Sequence, residues 1–105
     1  MLTTQIEWPM DKITDFCRRW KIARLEVFGS VLRDDFRQDS DVDLIASYVP
    51  EAQCSLLDRV HMKHELEGML GRPVDLLNRR ALEKDRQNAR SAAILAHAQM
   101  LYVEP

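Results

Sequence analysis

With 105 residues, the chain has room for one domain, residues 1–105, built on a single core. Its 46% hydrophobic and 30% charged residues argue against disorder and against a membrane span. A net charge of −2 disfavours direct binding of long nucleic acid, which calls for a basic surplus, and suits a small-molecule substrate or a protein partner.

The first seven residues, Met1 to Glu7, have neither the basic start nor the apolar run of a signal peptide. Two cysteines far apart, Cys17 and Cys54, do not make a disulfide framework, and the expected setting is cytoplasmic. A helix is predicted to open at Pro9, because proline suits a first turn. Ile13, Phe16, Cys17 and Trp20 then recur at helical spacing, so one face is buried and Cys17 is a free, buried thiol. Ala23 to Phe28 reads as a strand ending at Gly29, and a short helical turn begins at Ser30 with Val31 and Leu32.

Asp34 to Ser40 is polar and turn-rich. Asp41 to Ala46 alternates and then becomes wholly apolar, as a strand does on entering a core. Ser55 can cap a helix running to Leu70, which Gly71 and Pro73 stop. Val74 to Leu77 reads as a third strand, Ala81 to Ala96 as a last helix and Met100 to Val103 as a final short strand. The expected fold class is α/β (α+β): a small mixed sheet with helices packed against it.

Three features carry chemistry. Gly29-Ser30 follows one strand; Asp41-Val42-Asp43 opens the next, after ten intervening residues; Asp75 stands inside the third. Side chains two apart on a strand share a face, so Asp41 and Asp43 are expected to project together. If Asp75 projects beside them, three carboxylates raise one another's pKa unless cations compensate. Mg²⁺ suits such a site, since it takes a few carboxylates plus substrate phosphates. Two ions roughly 3.5–4 Å apart can activate an attacking oxygen and stabilise a leaving pyrophosphate. Gly29-Ser30 supplies the other half: glycine lets backbone approach a phosphate, N–H groups at a helix start favour an anion, and the Ser30 hydroxyl adds a hydrogen bond. Arg33 could reach the same phosphates or anchor the loop.

Taken alone, Gly29-Ser30 reads as a turn and the acid pair as a solvated loop edge. Their spacing and Asp75 favour a site. His61 and His64 do not stand in a zinc-protease order and are expected at the surface or in a partner contact. Arg79, Arg80, Lys84, Arg86 and Arg90 read as a solvated helix face, unless one or two meet an acidic partner or a triphosphate. Trp8 and Trp20 are expected in the core or an interface.

The arrangement Gly29-Ser30, ten residues, Asp41-x-Asp43 resembles the signature of the nucleotidyltransferase fold of the DNA polymerase β superfamily. The strings Gly29-Ser30-Val31-Leu32-Arg33 and Ser40-Asp41-Val42-Asp43-Leu44, with Val74-Asp75-Leu76 and the ending Met100-Leu101-Tyr102, are similar to its small prokaryotic branch, the minimal nucleotidyltransferases (MNT). Members of that branch commonly have a small residue and a glycine flanking the arginine, where this chain has Leu32 and Asp34.

The resemblance implies catalytic, metal-binding residues Asp41, Asp43 and Asp75, nucleotide contacts at Gly29 and Ser30, two Mg²⁺ ions and ATP as substrate. It also implies pairing with a HEPN-domain ribonuclease toxin, this chain being the antitoxin that transfers AMP to a tyrosine hydroxyl of that toxin. Larger relatives carry added domains for the acceptor; here the acceptor site is expected to be shared with the partner or with a second copy. The alternatives are a small-molecule enzyme modifying an aminoglycoside-like drug and a non-catalytic antitoxin acting by binding alone.

Overall fold

The computed structural model describes residues 6–33, 36–37 and 40–105. The start of the N-terminal reading, Met1 to Gln5, lies outside them, as do Asp34, Asp35, Gln38 and Asp39 of the polar turn, and hence the comparison at Asp34. The described order is α1 (Met10–Arg19), β1 (Ile22–Phe28), a 3-10 turn (Gly29–Leu32), β2 (Val42–Tyr48), α2 (Leu56–Leu70), β3 (Val74–Asn78), α3 (Arg79–Lys84), α4 (Ala89–His97) and β4 (Gln99–Val103).

The strands form one mixed sheet in the order β3-β2-β1-β4. β1 runs antiparallel to β2 and to β4, whereas β2 and β3 are parallel. A parallel pair needs a crossover rather than a hairpin, and α2 provides it. Ser55 starts that crossover with a capping box: its side chain accepts from the Asp58 N–H, and Asp58 accepts from the Ser55 N–H. Gly71 ends it in the left-handed conformation, φ 69°, that closes a helix at low cost to glycine.

The sheet has two different faces. Leu25 and Val27 of β1, Val42, Leu44 and Ala46 of β2 and Val74 of β3 join Ile13, Phe16 and Cys17 of α1 and Met62 and Leu66 of α2 in one core. Alternation along the strands sends Glu26, Phe28, Asp43, Ile45 and Asp75 to the opposite face. The core therefore fixes the strands from one side and leaves the other for chemistry. Trp20 is half-buried against this core, and its indole N–H donates to Glu65 at 3.1 Å.

Two expectations change. The single helix over Ala81 to Ala96 is broken into α3 and α4, because Asn88 caps a new start by accepting from the N–H groups of Arg90 and Ser91. Asp41 precedes β2 rather than opening it, since the ladders of that strand begin with the Val42–Val74 pair to β3 and the Phe28–Asp43 pair to β1.

Candidate active site

The register of the sheet builds the site. Asp43 stands opposite Asp75 in the parallel ladder between β2 and β3, and opposite Phe28 in the antiparallel ladder to β1. Laterally paired residues share a face, so the two carboxylates lie side by side. Phe28 leads into Gly29, whose φ of 78° turns the chain out of β1 and into the 3-10 turn. An added Cβ at Gly29 would collide with the Asp43 Oδ2 oxygen and come within 3.3 Å of Cγ, so the carboxylate would have to turn aside. The Asp43 carboxylate thus lies directly against the Gly29 backbone, an approach that the lack of a Cβ allows. Ser30 follows, its hydroxyl 3.5 Å from the Asp41 carbonyl oxygen, linking the turn to the acid segment.

Electrostatics register the crowding. Asp43 is half-buried, and its pKa is raised above the ordinary carboxylate value, first by burial, then by the charges of Asp75 and Asp41. Arg33 and Arg90 oppose the rise. Asp41 and Asp75 are exposed, so the cluster opens to solvent. Among the described residues no three His, Cys, Asp or Glu side chains close into a cage able to hold an ion unaided. The donor set is all oxygen, and the mutual repulsion of its members is what a divalent cation would relieve.

Next to the acids lies a cleft of about 540 Å³, in the range of a small-molecule site. Phe28, Gly29, Leu32 and Ile94 form much of its wall, with Arg33 and Arg90 among its lining. Of the sequence-predicted residues, Asp43 and Asp75 are paired beside Gly29, Ser30 reaches the Asp41 carbonyl, the Asp41 charge bears on Asp43, and Arg33 lines the adjoining cleft.

The family model for the nucleotidyltransferase domain matches residues 10–99. The chain belongs to that family. This nucleotidyltransferase is 38% identical over 66 residues to MJ0435 of Methanocaldococcus jannaschii, named as a candidate protein adenylyltransferase; the match covers 63% of this chain and 69% of that one. It is 35% identical over 65 residues to the protein adenylyltransferase MntA of Thermococcus cleftensis, covering 62% and 64%. A solved candidate minimal nucleotidyltransferase superposes with a TM-score of 0.65 at 35% identity, over 87% of both chains. A toxin–antitoxin crystal structure with AMP-PNP shares the fold, with a TM-score of 0.68 at 19% identity over 91% of this chain and 74% of that one.

Two arginines depart from the solvated helix face that is the default sequence reading. Arg90, grouped with solvated helix charges, lines the cleft and bears on the Asp43 charge. Arg79, of the same group, is no solvated residue: it donates to the buried Glu26 at 2.8 Å and to Glu83 at 3.2 Å, tying α3 to β1. Glu26 between apolar Leu25 and Val27 was the available signal, because a carboxylate inside a buried strand requires a partner. His61 and His64 are exposed on α2, as expected for surface residues.

Proposed function

We propose that this nucleotidyltransferase transfers AMP from ATP to a protein hydroxyl, specifically a tyrosine of a HEPN-domain toxin, and so serves as an antitoxin. The observation that carries the chemistry is the placement of Asp43, with Asp75 opposite it, directly against the Gly29 backbone. It brings a cation-seeking carboxylate pair against a glycine turn that can receive phosphates. The protein-adenylyltransferase names of MJ0435 and MntA support a protein acceptor.

In this reading Asp41, Asp43 and Asp75 would hold two Mg²⁺ ions, which would supply charge neutralisation for the triphosphate and activation for the attacking hydroxyl. Gly29 and Ser30 bind the phosphates through backbone N–H groups and the Ser30 hydroxyl, and Arg33 and Arg90 add positive charge at the cleft. Asp75, the more exposed carboxylate of the facing pair, accepts the proton of the tyrosine hydroxyl. The phenolic oxygen bonds to the α-phosphorus, the bond to the β-bridging oxygen breaks, and pyrophosphate leaves. The residues contribute positioning and electrostatic stabilisation rather than covalent chemistry.

Co-expression with a HEPN-domain partner, followed by intact mass with ATP and Mg²⁺, tests this. The partner is expected to gain one or more AMP units, mapped to tyrosine, and Asp41→Ala or Asp43→Ala to abolish the gain. Neutralisation of the partner by those variants without any mass increase would establish binding alone. Transfer to free aminoglycosides but not to protein would establish a small-molecule enzyme.

A further inference from the structure

At the other end of the same sheet lies a second cavity, of about 600 Å³. The acids occupy the second positions of β2 and β3; this cavity opens where the two parallel strands end, at Ser47, Tyr48 and Asn78. Ser47 stands four positions along the strand from Asp43, about 13 Å away. The crevice beyond the carboxyl ends of parallel strands is a recurrent place for ligands in open sheets.

Three observations describe what it would hold. Its arginines are unequally committed. Arg79 is taken up by Glu26 and Glu83, and Glu83 lies a further 3.7 Å from Arg86. Arg59 and Arg80, both exposed, have no carboxylate within ion-pair distance among the described residues, leaving two unpaired guanidinium groups on the lining. Ser47, also on the lining, has a buried hydroxyl without a hydrogen-bond partner among the described residues, a state few buried polar atoms keep. Tyr48 adds an aromatic wall.

We propose that this cavity is a second ligand site, taking a small phosphate monoester with an apolar or aromatic body. A phosphate monoester carries about −1.5 to −2 charges at neutral pH, matching the two unpaired guanidinium groups, and its oxygens can accept from the Ser47 hydroxyl once that group rotates toward the cavity. A lone carboxylate would leave one guanidinium uncompensated. The volume falls in the range that encloses small ligands, well beyond a single ion. The assignment does not rest on adenylyl transfer at the acid cluster, and either can fail without the other.

Amide chemical-shift mapping of the full chain, without Mg²⁺, tests it with phenyl phosphate, inorganic phosphate and benzoate as separate titrants. Phenyl phosphate is expected to saturate and to move Ser47, Tyr48 and Asn78, while leaving Gly29 and Ser30 in place. The exposed pair Arg59→Ala/Arg80→Ala should weaken it by about tenfold or more with an otherwise unchanged spectrum. Ser47→Ala should weaken it by a smaller factor. Inorganic phosphate should bind more weakly at the same amides. Shifts confined to Gly29 and Ser30, or equal affinity for the arginine variant, would overturn the site. Benzoate binding as tightly as phenyl phosphate would overturn the phosphate assignment.

Discussion

Replacing Asp43 by Asn should destroy transfer and yet make the metal-free protein more stable at neutral pH. Asp43 and Asp75 are directly opposed across a ladder, and like charges in that relation cost stability within the roughly 0.2–1 kcal/mol range of cross-strand pairs. Asp75 is exposed, so solvent screening places the effect near the middle of that range, about 0.5 kcal/mol. For a domain of this size that is about 2–4 °C in Tm. The sign follows from the raised pKa of Asp43. The folded state holds its proton more tightly than the unfolded chain does. That stability is fully present below the ordinary carboxylate value of about 3.9 and is lost as pH rises through the raised pKa. Thermal unfolding in chelator and low salt should therefore show Asp43→Asn above the wild type at neutral pH and level with it near pH ~4. Asp75→Asn should also gain stability at neutral pH by removing the same repulsion, and the double variant should gain less than the two singles combined, since one charge relieves the pair. Mg²⁺ should restore the order by binding the folded wild type, adding about 1.4 kcal/mol at tenfold excess over its Kd. A variant less stable at neutral pH, an advantage that persists in acid, or strict additivity would refute the electrostatic account.

Gly29→Ala should cost about 1–2 kcal/mol from the left-handed backbone alone, and more from displacement of the Asp43 carboxylate. Turnover should fall further than Tm explains, measurable by pyrophosphate release against a melting curve. Ser55→Ala removes one arm of the capping box and should lower stability by about 1 kcal/mol in denaturant titration, with turnover unchanged. Burial pushes the Cys17 thiol up to about 12, with the Glu104 charge adding to it. It should therefore resist alkylation in the native protein at neutral pH and react only on unfolding, while the half-buried Cys54 labels first, as read by peptide mass.

What was legible in the sequence shares a physical basis: features whose cause is local. The period of Ile13, Phe16 and Cys17, the cap at Ser55, the stop at Gly71 and the alternation after Asp41 each follow from neighbours a few residues away, and each stands near its predicted place. The break between α3 and α4 was missed because periodicity over Ala81 to Ala96 outweighed one Asn, although Asn88 had the side chain to begin a new helix. Non-local pairings were invisible for a different reason. Nothing near Arg79 announces Glu26, 53 positions away, and nothing near Arg90 announces Asp43.

The order of the sheet explains why the acids could be read while their surroundings could not. Asp43 and Asp75 are brought together by the parallel ladder, and the strands are fixed by apolar partners on the opposite face. Moving β3 by one residue would turn Asp75 into the core and expose Val74, at the cost of burying a charge. Val74 and Leu76 therefore set the register in which Asp75 faces Asp43, and the hydrophobic pattern that gives the strand its place also aims its carboxylate. The basic side chains around the site lie on α3, on α4 and just after the 3-10 turn, where no two-residue repeat dictates direction. Their positions follow only from how those segments settle on the finished sheet.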